Sequence, residues 1–151
     1  MSKRILVPLD GDEVGEAITP VVTALAAESG GSVRLLRVAP VPELVVGSHG
    51  HTVAYVDQEM ARVTASGLRD LTHIEAQFDG VPVESVVRFG DPVEEILDEA
   101  EAFDADLIAL STSRRGLLRT VLSAGVADQV VRKAAIPTLV LRVTPTDDVG
   151  L

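Results

Sequence analysis

The sequence predicts an α/β domain built on an open, doubly wound sheet of five parallel strands with helices on both faces. Short aliphatic runs alternate from end to end with segments of helical periodicity, which is the pattern of a parallel sheet with right-handed crossovers. Apolar residues make up 46% of the chain but aromatic residues only 3%. The core is therefore expected to consist of Val, Leu, Ile and Ala, as in aliphatic strands covered by Ala-rich helices.

The first crossover is predicted between two aliphatic runs. Residues 4–9 and residues 32–38, the latter following the Gly30-Gly31 turn, are typical of strands that are buried on two faces. Apolar residues recur at helical spacing between them and predict a helix of about four turns. Pro20 lies inside this helical segment, so we expect it to kink the helix.

The middle of the chain predicts a long helix, a third strand and a capped helix. Apolar residues over 56–74 line one helical face, and Gly80 ends that segment. Residues 83–88 form the third strand. Asp91 is suited to cap the next helix, with Pro92 at its first position. The acidic residues of this helix are expected on its solvated face: Glu94, Glu95, Asp98, Glu99 and Glu101.

The last third of the chain predicts two strands with a hydroxyl-rich turn between them. The fourth strand covers residues 107–110 and the fifth covers Thr138–Val143, with a helix over 126–134. A turn of hydroxyls and arginines is expected at residues 111–115. The fifth strand carries Arg142 as its only charge, so an unpaired edge there would favour association with a second copy.

Composition and charge exclude several classes of protein. With 13 basic and 23 acidic residues the net charge is -10, which repels a phosphate backbone, so nucleic acid is not expected as a partner. The chain has no cysteine, so disulfides and thiol chemistry are excluded.

No apolar run is long enough for a membrane span, and a cytoplasmic protein is expected. The length fits one domain over 1–144 and a flexible tail over 145–151.

No catalytic centre or metal site is assigned. The chain lacks a G-x-S-x-G motif, and no histidine follows the strand ends where a catalytic base would be needed. His49 and His51 lie in a glycine-rich loop without a carboxylate cluster, which favours a plain loop over a metal site. At most, weak nucleotide hydrolysis with Asp10 as base is left open.

Three blocks of sequence resemble the universal stress protein family. They are KRILVPLDG at the start, GDPVEEILDEAEAFDADLIAL in the middle and VADQVVRKAAIPTLVLR near the end. The resemblance implies a sheet in the order 3-2-1-4-5, the fold of the adenine nucleotide alpha hydrolases, commonly as a homodimer joined through the last strand. Ligands of such sheets bind beyond the carboxyl ends of the strands where the order reverses, here between the first and fourth strands.

The resemblance also implies a nucleotide site at this crevice. Asp10, with Pro8 and Leu9 beside it, would meet the ribose or the adenine, and Val38 would line the adenine pocket. Leu110 ends the fourth strand on the other side of the crevice. Asp10 has a second interpretation that is equally supported, since an aspartate after a strand often caps the next helix.

The phosphate-binding glycines of the family are replaced in this chain. Nucleotide-binding members have a glycine, two residues, a second glycine, nine residues, and then a glycine with a small hydroxyl residue. These positions fall on Ser111, Arg114 and Ala124, with Gly125 in place of the hydroxyl residue. A shift of one residue would instead let Ser123 or Gly125 serve part of the motif.

Two outcomes for the ligand follow from these replacements. A Cβ at Ser111 and the bulk of Arg114 would obstruct the phosphates, so that ATP binding is lost or weakened. Alternatively, Arg114 or Arg115, the hydroxyls of Ser111 and Thr112, and the helix from Val126 would bind the phosphate of ATP or AMP. The first outcome predicts a homodimeric regulatory protein that acts on a protein partner, and the second predicts an adenine-nucleotide sensor. The two arginines could also be solvated loop charges.

Overall fold

Five strands and four helices alternate in the computed structural model, which describes residues 3–9, 17–42, 52–113 and 124–143. The strands are β1 Arg4–Pro8, β2 Ser32–Ala39, β3 Val83–Phe89, β4 Leu107–Ser113 and β5 Thr138–Val143. The helices are α1 Thr19–Ser29, α2 Thr52–Glu75, α3 Pro92–Phe103 and α4 Ala124–Lys133. All neighbouring strands are parallel, and their order is β3-β2-β1-β4-β5. The predicted fold class is confirmed.

The sheet separates two aliphatic cores. On one face, Val7 and Leu35 pack with Val22 of α1 and Leu71 of α2. On the other face the core is formed by residues of the sheet, α3 and α4: Leu6, Leu36, Val38, Ile96, Ile108, Leu110 and Val130. The central strands are therefore buried on both faces, as their near-continuous aliphatic sequence predicts.

The start of β2 lies very close to the start of β1. Gly30 ends α1 with a φ of 65°, which favours glycine. A Cβ on Gly31 would lie 2.2 Å from the carbonyl oxygen of Lys3, so only glycine fits this approach. The Gly-Gly pair thus sets the register in which Ser32 donates its backbone N–H to Lys3.

Two helix boundaries differ from the sequence prediction. The first helix begins at Thr19, so Pro20 lies in its first turn, and the predicted kink is wrong. Proline is favoured at this position because the first N–H groups of a helix have no intrahelical partner. The second helix begins at Thr52 and ends at Glu75, before the predicted stop at Gly80.

The fourth strand is longer than predicted. It continues through Ser111 and Thr112 to Ser113, which pair with Leu141, Arg142 and Val143 of β5. The prediction that the three hydroxyl residues form a turn is therefore wrong. The long partner strand continues the ladder past the aliphatic run, and short hydroxyl side chains are compatible with it.

A buried ion network ties α3 to the outer half of the sheet. Glu99 is only 4% exposed, and its two carboxylate oxygens accept from Arg34 of β2 at 2.6 Å and from Arg88 of β3 at 2.7 Å. Arg34 also pairs with Glu84, and Arg88 with Glu95. The expectation that Glu99 lies on a solvated helix face is wrong, because these two arginines project from the sheet beneath the helix.

The network favours the charged form of both arginines. Burial alone would lower the pKa of Arg34, but hydrogen bonds with Glu84 and Glu99 raise it above its usual value, and hydrogen bonds with Glu95 and Glu99 raise the pKa of Arg88. Because each pKa is higher in the folded than in the unfolded protein, the pairing of these arginines stabilises the fold fully at any pH below the pKa of an unfolded arginine. Its contribution is therefore complete at neutral pH.

Removing the shared carboxylate charge should destabilise the fold. We expect Glu99→Gln to lower the free energy of unfolding by about 3 kcal/mol, because two partly buried arginines lose their common partner. Glu101→Gln is the matched control, since Glu101 is exposed on the same helix, and its effect should stay within about 0.5 kcal/mol. Urea unfolding at pH 7 measures both, and equal effects would contradict the structural role of Glu99.

Candidate functional site

The first and fourth strands separate at the point where the strand order reverses. β1 pairs with β2 from Arg4 to Pro8, but it pairs with β4 only at Ile5 and Leu6. After β1 the chain stays with β2, since the backbone N–H of Leu9 donates to Leu36 at 2.7 Å. β4 meanwhile continues to Ser113 beside β5. The predicted crevice lies beyond the carboxyl ends of β1 and β4, where this pairing has ended, which is the usual ligand position in open α/β sheets.

The apolar residues predicted to line the crevice fall on both faces of the sheet. Val38, at the end of β2, and Leu110, in β4, belong to the core under α3 and α4, and Val126 packs against that core. Leu9 belongs to the opposite core, under α1 and α2. Pro8 is buried at the end of β1. The structure thus brings Val38, Leu110 and Val126 to one face and directs Leu9 to the other.

Two buried hydroxyl residues follow Leu110 in β4. Ser111 is 1% exposed and Thr112 is 4% exposed. Side chains alternate along a strand, so Ser111 lies on the face of α1 and α2, while Thr112 lies with Leu110 on the face of α3 and α4. The hydroxyl of Thr112 has no hydrogen-bond partner among the described residues. A buried hydroxyl without a partner costs about 1–3 kcal/mol, so this position favours an additional hydrogen-bonding group.

The N-terminus of α4 lies on the same face as Thr112. Ala124 and Gly125 belong to this helix, which begins two residues before the predicted start at Val126 and has no acidic residue in its first turn. The helix dipole adds partial positive charge at this terminus. A helix N-terminus on the same face as a buried hydroxyl is suited to an anion such as phosphate.

Several predicted residues lie outside the described residues. These are Asp10, Arg114, Arg115 and Ser123, together with His49 and His51 of the glycine-rich loop. Within the described residues, no group of three or more His, Cys, Asp or Glu side chains could hold a metal ion. None of the described helices is long and apolar enough to cross a membrane.

Two cavities lie at the opposite end of the sheet, beside the amino ends of β1 and β4. One has a volume of about 500 Å³ and lies between α1 and the sheet, with Ile5, Leu25 and Leu107 in its wall. The other, of about 310 Å³, lies between α3 and α4. Sequence reasoning missed both, because their walls combine residues that are far apart in the chain and carry no common motif.

Comparison with known proteins identifies the family. The model described as “Universal stress protein family” matches residues 1–142. The chain belongs to the universal stress protein family. The resemblance found in the three sequence blocks is thereby confirmed.

Relatives in the universal stress protein family match along nearly the whole chain. Universal stress protein MJ0531 of Methanocaldococcus jannaschii is 25% identical over 93% of this chain and 82% of its own length. Universal stress protein MJ0577 of the same organism is 24% identical over 94% of this chain and 96% of its own length. The solved structure of MJ0577 superposes with a TM-score of 0.79, covering 97% of this chain and 99% of that one.

A nucleotide complex is found among the structures that share the fold. The universal stress protein from Archaeoglobus fulgidus was solved in complex with dAMP. It is 17% identical to this chain, covers 93% of it and 97% of its own length, and has a TM-score of 0.58. Likeness at this level concerns the fold alone.

The unpartnered hydroxyl of Thr112 should be unfavourable in the ligand-free protein. We expect Thr112→Val, which keeps the shape of the side chain, to raise the free energy of unfolding by about 0.5–1.5 kcal/mol. Thr23→Val is the matched control, because the Thr23 hydroxyl donates to the Thr19 carbonyl at 2.7 Å. Thermal unfolding of the ligand-stripped protein measures both. A loss of stability in Thr112→Val would mean that the hydroxyl already has a partner.

Proposed function

We propose that this universal stress protein binds an adenine mononucleotide in the crevice between β1 and β4, and that its binding of ATP is weakened. The observation that carries the proposal is the buried, unpartnered hydroxyl of Thr112 on the same face as the N-terminus of α4. Both groups suit a single phosphate, which would supply the missing acceptor.

The wall of the crevice is suited to the apolar face of a purine. Val38 and Leu110 lie on the same face as Thr112, in one aliphatic core. A flat apolar ring can pack on such side chains while the phosphate lies at the helix terminus. The A. fulgidus relative in complex with dAMP supports a mononucleotide as the ligand class. Asp10 would bind the ribose or the adenine in this arrangement.

Three properties of the chain disfavour a triphosphate. Ser111, at the position of the first family glycine, pairs with Leu141 in the β4–β5 ladder, which disfavours a phosphate-binding loop at this position. Ala124 and Arg114 add side chains at the other two glycine positions. The net charge of -10 also repels the greater negative charge of ATP.

The proposed role is regulatory rather than catalytic. Nucleotide occupancy would change the surface that the protein presents to a protein partner, in the cytoplasm. The second candidate is a regulator that works without any nucleotide. It is favoured by the replacement of the phosphate-binding glycines and by the acidic charge.

Calorimetric titration of ligand-stripped protein tests the proposed ligand. We expect micromolar binding of AMP, with ATP binding at least about tenfold more weakly. Thr112→Val should weaken AMP binding by about tenfold, since it removes one hydrogen bond to phosphate, and Asp10→Ala should abolish detectable binding. Thr23→Val should bind as the unmodified protein does. If millimolar AMP gives no heat of binding, the nucleotide sensor is rejected and the regulator that works without nucleotide is favoured.

We further propose that the protein is a homodimer joined through β5. This strand is the last in the sheet and pairs with β4 on one side. Its residues Leu139, Val140 and Leu141 are only partly buried, and Arg142 is its only charge. An aliphatic edge strand of this kind favours pairing with the same strand of a second copy.

Light scattering tests the contribution of the edge strand. The particle mass should be at least twice the 15.9 kDa of one chain, and Leu141→Lys should halve it, because lysine on an edge strand opposes strand pairing. Val131→Lys is the control, since Val131 is exposed on α4. A monomer at high protein concentration would contradict the dimer.

A further inference from the structure

The outer face of α1 is apolar and exposed. The helix has the sequence TPVVTALAAES, with Glu28 as its only charged residue. Val22 and Ala26 are buried against the sheet, whereas Val21 and Leu25, on the outer face, are 38% and 42% exposed. Exposed apolar side chains that adjoin one another are typical of contact surfaces. The outer face of α1 therefore has the properties of a contact surface.

A cavity lies directly beside this outer face. It has a volume of about 500 Å³, and Leu25 forms part of its wall with Ile5, Leu107 and Pro137. The exposed leucine and the apolar hollow are thus neighbours on one surface. A second copy turned by a two-fold axis would present its own exposed leucine to this hollow, because a two-fold contact joins the same patch on both copies.

The cavity edge carries one positive and one negative side chain that can pair with those of a second copy. Lys3 and Glu28 both line the cavity, and neither forms an ion pair within the described residues. Asp106, the other charged residue of the wall, accepts the backbone N–H of Arg4 at 2.8 Å. A two-fold axis would place Lys3 of each copy near Glu28 of the other. One patch would then supply two equivalent ion pairs.

We propose that this surface, formed by Val21, Leu25, Lys3, Glu28 and the adjoining cavity and here termed the α1 face, binds a second copy of the chain. Leu25 of each copy enters the cavity of the other, and the Lys3 and Glu28 side chains pair reciprocally. Most of the surface of a protein with a net charge of -10 repels an identical copy. The α1 face offers apolar contact and both signs of charge, which favours a second copy over a partner of one charge.

The α1 face is separate from the edge of β5. It lies at the amino ends of β1 and β4 on the side covered by α1, whereas the edge contact uses the open side of β5. The two contacts can therefore form together and give an assembly of four chains or more. The proposal does not depend on the nucleotide site, so calorimetry and particle mass report on different hypotheses.

Substitution of the exposed leucine tests the apolar part of the contact. Sedimentation of the full chain with Leu25→Glu should show a dissociation constant for this contact at least about tenfold higher than in the unmodified protein. Leu68→Glu is the matched control, because Leu68 is similarly exposed, at 37%, on another helix, and it should leave the mass unchanged. If Leu141→Lys lowers the mass and Leu25→Glu does not, the proposal is wrong.

Charge reversal tests the reciprocal pairing. Lys3→Glu and Glu28→Lys should each raise the dissociation constant, by about tenfold, because attraction becomes repulsion at both equivalent pairs. The double variant should recover the affinity of the unmodified protein, and an equimolar mixture of the two single variants should associate more tightly than either alone. If neither the double variant nor the mixture recovers association, the α1 face does not bind a second copy as proposed.

Discussion

The position of β1 is the constraint on which the rest of the fold depends. It is the central strand and is buried on both faces, so its backbone must be paired from both sides and its side chains must be aliphatic. β2 meets this requirement along the whole of β1, whereas β4 meets it only at the amino end. The position of the predicted crevice, at the carboxyl ends of β1 and β4, follows from that difference.

The ion network under α3 joins the two strands on one side of β1, which are β2 and β3. Glu99 joins β2 and β3 through two arginines. The Cζ atom of Arg34 also lies 4.2 Å from the centroid of the Phe103 ring. A buried carboxylate is costly unless it is paired, and here both of its oxygens are paired. In a chain with such an excess of acid, this arrangement uses the arginines to hold one carboxylate inside, while Glu101 and Asp98 remain exposed.

The sequence was sufficient for the architecture but not for every boundary. Strand and helix alternate clearly, because the aliphatic runs and the helical stripes have different periods. The end of β4 could not be predicted, since Ser111, Thr112 and Ser113 are equally compatible with a turn, and only the length of β5 decides the matter. The burial of Glu99 could not be predicted either, because its partners, Arg34 and Arg88, are distant in sequence. The family resemblance gave the location of the crevice, but the unpartnered hydroxyl of Thr112 required the structure.

Net charge bears on two of the proposed contacts, the nucleotide crevice and the α1 face. A protein with a net charge of -10 repels both an anionic ligand and an identical copy of itself. Either contact therefore requires a local surface on which that charge is absent or balanced. The residues proposed to line the crevice, Val38, Leu110 and Thr112, are uncharged, and the helix dipole of α4 adds positive potential on their face of the sheet. On the α1 face, Lys3 and Glu28 balance each other around apolar residues. This charge balance favours the proposed ligand at the carboxyl ends of β1 and β4 and the proposed α1-face contact at their amino ends.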